Sequence, residues 1–233
     1  MIKTIVFDLD NTLYDFDEYL RSAYRFLARE FALKKGLDPQ QTENKLFEQV
    51  LQRGLTHDFL FNEWLATLDL NDKINLREAI SIFHTFRPQV LTPFEGFEEL
   101  MKSLDGVQKI VLSDGRASTQ RKKLEALGIQ KHFEEIVLSD EHQTAKPDQA
   151  LFKLIEHEFG AESHTTLMVG DHPDKDILGA KKAGWQTVRI LHGAHKNFDD
   201  HPEAKPDHRV TSLTELMNWL IDEKSTGSRG TSR

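Results

Sequence analysis

From Phe97 onward the chain alternates short apolar, β-prone runs with amphipathic helical stretches of about ten residues. Lys109-Ile110-Val111-Leu112-Ser113, Glu135-Ile136-Val137-Leu138, Thr166-Leu167-Met168-Val169 and Gln186 to Leu191 read as buried strands. Phe97, Leu100, Met101 and Leu104 form an amphipathic helix. A second helix runs from Ala117 to Leu127 and stops at Gly128. Asp148 to His157, opened by Pro147, and Asp174 to Ala183, stopped by Gly184, complete the series. Ile2, Ile5, Val6 and Phe7 supply one more strand at the start, His208-Arg209-Val210 a short edge strand, and Ser212 with Glu215 caps a last helix. Strands buried on both faces and separated by helices predict an α/β fold, a parallel sheet covered on both sides.

One segment breaks this alternation. Between Tyr14 and Phe86 no strand pattern occurs, and four helical patterns follow one another. The first carries Phe16, Leu20, Ala23, Leu27 and Phe31 after an Asp15/Glu18 capping pattern. The second starts at Asp38-Pro39, with Leu46, Phe47, Val50 and Leu51 as its stripe. The third holds Phe59, Leu60, Trp64 and Leu68. The fourth begins near Asn75, with Glu78 as capping partner. The expected organisation is a discontinuous α/β core of residues 1–14 and 92–224, an inserted all-helical domain of residues 15–91, and a disordered Gly/Ser/Arg tail of residues 225–233.

Composition narrows the function classes. A net charge of -8, from 30 Lys+Arg against 38 Asp+Glu, argues against a basic nucleic-acid face. With no cysteine in the chain, disulfides, thiolate zinc sites and thiol catalysis drop out. No apolar run approaches the roughly 20 residues of a membrane span, and Asp8 and Asp10 interrupt any signal-peptide core. The expectation is a soluble cytoplasmic protein without nucleic-acid or membrane partners.

The polar residues collect where such a sheet binds ligands, beyond the carboxyl ends of its strands. The first strand ends in Asp8-Leu9-Asp10-Asn11-Thr12, another in Ser113-Asp114-Gly115, and a third in Gly170-Asp171, with Asp174 and Asp176 just beyond. Lys146 precedes Pro147. Alone, Asp8 and Asp10 could be a solvated acidic turn. Together, carboxylates without His or Cys companions suit a hard, oxygen-loving ion, Mg²⁺. Mg²⁺, a lysine and helix N-termini make a receptor for a phosphoryl group, which a carboxylate can attack.

Asp8-Leu9-Asp10-Asn11-Thr12 resembles the DxDxT signature of the haloacid dehalogenase-like (HAD) superfamily. Ser113-Asp114-Gly115 is similar to its second motif, Ala145-Lys146-Pro147-Asp148 to its third, and Gly170-Asp171-His172-Pro173-Asp174-Lys175-Asp176 to its fourth. The match spans residues 1–14 and 92–192, in order. The resemblance implies a Rossmann-like core with a helical C1 cap that closes on the site and reads the leaving group. It implies Asp8 as nucleophile and Asp10 as general acid/base of a Mg²⁺-dependent phosphatase. Thr12, Ser113, Gly115 and the flanking Asp114 and Arg116 would meet the phosphate or substrate, and Lys146 would neutralise charge. The metal would lie against Asp8, Asp171 and the backbone carbonyl of Asp10, with Asp176 orienting Lys146 from outside. The substrate class is a small phosphomonoester, among them sugar phosphates, nucleoside monophosphates, phosphoglycolate and acylneuraminate phosphates. A monomer or weak homodimer is expected.

Departures sharpen the reading. The second motif more often continues Ser/Thr-Asn-Gly, so Asp114 is expected to point away from phosphate or toward the cap, with Arg116 compensating it or holding substrate. Asp174 reads as a helix N-cap, His172 as a loop residue near the metal, and His192, His195 and His201 as surface residues. Phe16, Phe26, Phe59, Phe61, Trp64 and Phe83 belong mainly to the helical core. Arg21, Arg25 and Arg53 are either leaving-group readers or a solvated face. A 2-haloacid dehalogenase is the rival enzyme; those relatives generally lack the second aspartate. A non-catalytic binding protein would not need Asp8, Asp10, Lys146 and Asp171 together, and a receiver-type domain would lack the long helical insert.

Overall fold

The computed structural model describes residues 1–227, and in it the six expected strands form one sheet. They are β1 (Thr4–Phe7), β2 (Gln108–Ser113), β3 (Glu135–Leu138), β4 (Thr166–Gly170), β5 (Gln186–Ile190) and β6 (His208–Val210). Every pairing is parallel, in the order β3-β2-β1-β4-β5-β6. β1 is therefore where the direction of winding reverses, the place at which such sheets open a crevice. Its register fixes the site: Phe7 pairs with Val111 on one side and Val169 on the other. The next residues along the three strands, Asp8, Leu112 and Gly170, emerge level with one another.

The chain divides into two compact units, one of Met1–Asp15 with the chain from Thr92 onward, the other of Phe16–Leu91. In the first, the sheet's period of two sends Val6, Ile110, Leu112, Val137 and Met168 to one face. There they pack with α7 (Gln149–Phe159), α8 (Leu178–Lys182) and Trp185. Phe152 is fully buried, edge-on to Trp185 with ring centroids 5.2 Å apart. It lies so close to Gly179 that an added Cβ would come within 2.3 Å of its ring, so only glycine lets α8 approach α7 here. Phe7 points to the other face, where Phe133 meets it edge-on at 6.0 Å. α5 (Phe97–Ser103) and α9 (Leu213–Gly227) pack together.

The second unit is wholly helical: α1 (Phe16–Lys35), α2 (Pro39–Arg53), α3 (Leu60–Ala66) and α4 (Lys73–Thr85). Asp38 accepts from the Gln41 amide at 2.7 Å and Pro39 takes the first helical position, as the sequence requires. The start of α4 differs from expectation. It begins at Lys73, earlier than Asn75, with Asp72 as its cap, accepting from the Ile74 and Asn75 amides at 2.8 and 2.9 Å. Glu78 pairs instead with Lys34 and Lys35 at the end of α1, at 2.7 and 2.5 Å. Leu51 and Phe59, expected inside, are 85% and 63% exposed, because the buried stripe of α2 is Thr42, Leu46 and Val50 and the buried aromatic of α3 is Trp64.

Two further boundaries shift. Pro147 stands outside α7, whose N-cap is Asp148, and the Lys146–Pro147 peptide is cis. The segment expected as one helix from Asp174 begins with a π-helical turn, Pro173–Ile177, capped by His172; the Asp174 amide donates to His172 Nδ1 at 3.2 Å, so Asp174 is not the cap. α9 continues through Gly227, which makes the first three residues of the expected tail helical, and residues 228–233 lie outside the described residues. Among the described residues no helix is long and apolar enough to cross a membrane. Phe152→Ala should lower the stability of the sheet unit by about 3–5 kcal/mol, read from the urea midpoint, since it empties the contact between α7, α8 and Trp185.

Candidate active site

Asp8 follows directly on β1, and its amide still donates to the Val169 carbonyl at 2.9 Å, so the sheet holds it. The chain then turns: Leu13 N donates to Leu9 O at 3.0 Å, and Asn11 adopts a left-handed φ of 59°, which asparagine tolerates. Within this turn Thr12, fully buried, donates from its hydroxyl to Asp8 Oδ2 at 3.3 Å. Gly193 approaches the Asn11 side chain closely enough that a Cβ would fall 2.2 Å from it.

Lys146 reaches across to the centre of this arrangement. Its ammonium donates to Asp8 Oδ1 at 2.6 Å, to Asp176 Oδ1 at 2.7 Å and to the Leu112 carbonyl at 3.1 Å, with its side chain 2% exposed. Asp176 also accepts from the His172 amide at 3.0 Å. Gly170 makes room for it, since a Cβ there would meet the Asp176 carboxylate at 2.4 Å. Ligating oxygens of Asp8, Asp171 and Asp176 all lie within 4.8 Å of one another. Three buried carboxylates thus face one ammonium.

That imbalance shows in their acidities. Burial, with Asp176 and Asp10 nearby, pushes the Asp8 carboxyl up to about 7 although Lys146 opposes it. Burial raises Asp171 and Asp176 as well. Lys146, despite its own burial, is held protonated by Asp176 and Asp8. Negative charge remains in excess, and an all-oxygen donor set with excess negative charge fits a hard divalent cation.

Asp10, two residues after Asp8, lies outside this group of three. Its carboxylate accepts from Lys123 Nζ at 2.9 and 2.8 Å, from the Tyr14 hydroxyl at 2.5 Å and from Gln120 Nε2 at 3.1 Å. The two acids of one motif therefore have separate cationic partners. Gln120 Nε2 also donates to Ser113 Oγ at 2.6 Å and to the Asp114 carbonyl at 2.7 Å, which binds the second motif to Asp10.

Asp114 Oδ1 accepts from the Lys146 amide at 3.0 Å, joining the second and third motif loops. Gly115 has φ 105°, a conformation only glycine adopts readily. Arg116 is exposed at the start of α6 (Ala117–Leu127) and is not drawn into the cluster. Arg25 and Arg53 face Glu43 and Glu63 of their own helical unit, at 3.7 and 2.9 Å, and Arg21 is exposed.

Four residues here escaped the sequence reading. His195, expected at the surface, places Nδ1 2.7 Å from Asp171 Oδ2. Its ring stands 4.3 Å from that of His172, whose own ionisation burial pushes down to about 4. Arg189, 1% exposed, donates to the Asp171 carbonyl at 3.2 Å, the His195 carbonyl at 2.6 Å and Asp200 at 2.6 Å, and so fixes both ends of the His195–Asp171 contact. Gln120 and Lys123 lie on the stripe of α6 that Leu124 and Leu127 continue inward. The signals were a charge inside strand β5 and two polar residues, three apart, on an otherwise apolar face.

Residues 2–184 match the model of the haloacid dehalogenase-like hydrolases, and the chain belongs to that family. It is 32% identical, over 96% of its length and 99% of the other's, to the glyceraldehyde 3-phosphate phosphatase of Methanocaldococcus jannaschii. It is 30% identical to the pyrimidine 5'-nucleotidase YjjG of Escherichia coli, over 93% of this chain and 96% of that one. In fold it is similar to the HAD-hydrolase YfnB of Bacillus subtilis, with a TM-score of 0.68 at 19% identity over 94% and 98% of the two chains. The chain is thus a hydrolase of this family.

The acidities predict a measurable dependence on pH. A carboxyl raised from 3.8 to about 7 binds its proton more tightly in the folded state, so stability of the metal-free protein falls as pH rises through that window. A cation competes for the ionised form. Mg²⁺ should therefore raise Tm more at about pH 8 than at about pH 5, as followed by thermal denaturation.

Proposed function

We propose that this protein is a Mg²⁺-dependent phosphatase that hydrolyses a small phosphomonoester through an aspartyl-phosphate on Asp8. The observation carrying the reading is that Asp8 sits in one buried cluster with Lys146, Asp171 and Asp176 while Asp10 is held apart by its own partners. Two carboxylates in different surroundings can do different chemistry. A haloacid dehalogenase would also use Asp8, but without a metal it would leave Asp10 and Asp171 without work.

Asp8 Oδ attacks phosphorus as the bond from phosphorus to the leaving oxygen breaks. Asp10 protonates that oxygen, and the product alcohol departs. Water then attacks the phosphorus, Asp10 accepts its proton, and the bond to Asp8 breaks to release phosphate. Lys146, on Asp8 Oδ1, offsets charge on the nucleophile and on the transferred group, while Asp176 keeps its ammonium in place. Thr12 and Ser113 present hydroxyls from the first and second motif loops, and the Gly115 conformation shapes the second; these would meet the phosphate oxygens. Arg116, being exposed, is at most a contact for the rest of the substrate. Asp8, Asp171 and the Asp10 carbonyl would hold Mg²⁺, which supplies positive charge for the phosphoryl oxygens. The names of the relatives point to the first substrates to assay, glyceraldehyde 3-phosphate and a pyrimidine nucleoside 5′-monophosphate.

With Mg²⁺ present, phosphate should be released from p-nitrophenyl phosphate and from one of these two esters. Chelation of the metal should stop it, and Asp8→Asn should abolish it. Turnover by Asp8→Asn, or full activity without a divalent cation, would overturn the reading. His195→Ala should weaken Mg²⁺ binding by about 10- to 100-fold, measured by titration calorimetry, because the imidazole orients the Asp171 carboxylate.

A further inference from the structure

We propose that Lys123 is a positioning residue for the reaction: its buried ammonium clasps both oxygens of the Asp10 carboxylate and holds it where it can exchange a proton with the leaving oxygen and with water. This rests on the reading of Asp10 as acid/base and adds a residue outside the four motifs.

Lys123 lies on the second turn of α6, the helix that leaves the Ser113-Asp114-Gly115 loop. Its side chain is 4% exposed, while that of Asp10 is 23% exposed. A lysine does not bury its charge without a partner that repays desolvation. Here the ammonium meets Oδ1 at 2.9 Å and Oδ2 at 2.8 Å, so both oxygens are engaged by one cation. A single-point contact would leave the carboxylate free to rotate; contact with both oxygens does not. Tyr14 adds a hydroxyl on Oδ1 and Gln120 an amide on Oδ2. Gln120 is one helical turn from Lys123 and simultaneously grips Ser113 Oγ and the Asp114 carbonyl. One face of α6 therefore locates the acid/base against the loop that carries the Ser113 hydroxyl.

Lys146 cannot serve in this role, since its ammonium is committed to Asp8, Asp176 and the Leu112 carbonyl. The site allots one lysine to each aspartate of the first motif. The transferred proton travels between Asp10, the leaving oxygen and water. Proton transfer needs hydrogen-bond reach, and displacement of a catalytic group by about 1 Å costs on the order of 100-fold.

A double-mutant cycle tests this on the full chain with Mg²⁺, using glyceraldehyde 3-phosphate, whose alkoxide leaving group needs a proton. Wild type, Asp10→Asn, Lys123→Met and the double variant are compared in kcat and KM, each after a cooperative melt has been recorded. Lys123→Met should lower kcat by about 10- to 100-fold with KM changed less than about 3-fold. In the Asp10→Asn background the same change should cost less than about 2-fold, because the group it positions is already gone. Should Lys123→Met fail to fold, Lys123→Gln, which keeps a donor without the charge, takes its place in the cycle. Four outcomes overturn the proposal: kcat within a few-fold of wild type, a rise in KM alone, an equal loss in both backgrounds, or failure of both Lys123 variants to fold. If Asp10→Asn itself stays near wild type, the acid/base reading falls and Lys123 with it. A large loss in Asp10→Asn beside an active Lys123→Met sinks only the lysine.

Discussion

The ammonium of Lys146 between Asp8 and Asp176 is the contact on which the rest of the candidate site depends. Three loops meet there: the turn after β1, the segment before α7 and the π-helical turn after β4. Without a cation, the carboxylates level with one another at the sheet's switch point would repel or take up protons. One lysine does not neutralise three acids, and the shortfall suits a divalent ion. The same shortage of positive charge that makes the cluster costly to bury makes it receptive to a divalent cation.

The two aspartates of the first motif differ through their surroundings, not through residue type. Asp8 and Asp10 are the same amino acid two residues apart, yet Asp8 faces Lys146 and two buried carboxylates, while Asp10 faces Lys123, Tyr14 and Gln120. Asp8 is still held by the sheet, its amide donating to the Val169 carbonyl, whereas Asp10 stands inside the turn in which Leu13 N returns to Leu9 O.

Much of this was legible in the sequence because period and punctuation agree. Apolar runs such as Ile110-Val111-Leu112 have room for no other role, and Gly128 and Gly184 end helices where a left-handed residue is needed. The cluster of Asp8, Lys146, Asp171 and Asp176 was visible because each lies at a strand end or in a recurring motif. What stayed hidden depends on contacts across long sequence distances. Nothing local tells that the helix starts from its cap at Asp72 and not at Asn75, since Lys34 and Lys35, which claim the expected partner Glu78, belong to a different helix. His195 looked like one more surface imidazole until the loop after β5 was folded back on Asp171. Arg189 and Lys123 were anomalies on buried faces whose partners a pattern of hydrophobicity cannot name.

The strand order carries a consequence for how the molecule comes into being. β1 leaves the ribosome first, but its two neighbours, β2 and β4, begin only at Gln108 and Thr166, after the whole helical unit has been made. The first strand must wait unpaired, its apolar Ile5, Val6 and Phe7 without a sheet, while Phe16–Leu91 can already condense. Asp10 gains Lys123, 113 positions later, Asp8 gains Lys146, 138 positions later, and Asp171 comes later still. Asp8 is thus the earliest part of the site to be synthesised and must wait for Lys146, Asp171 and Asp176, so an unfinished chain holds the letters of the site without the site itself.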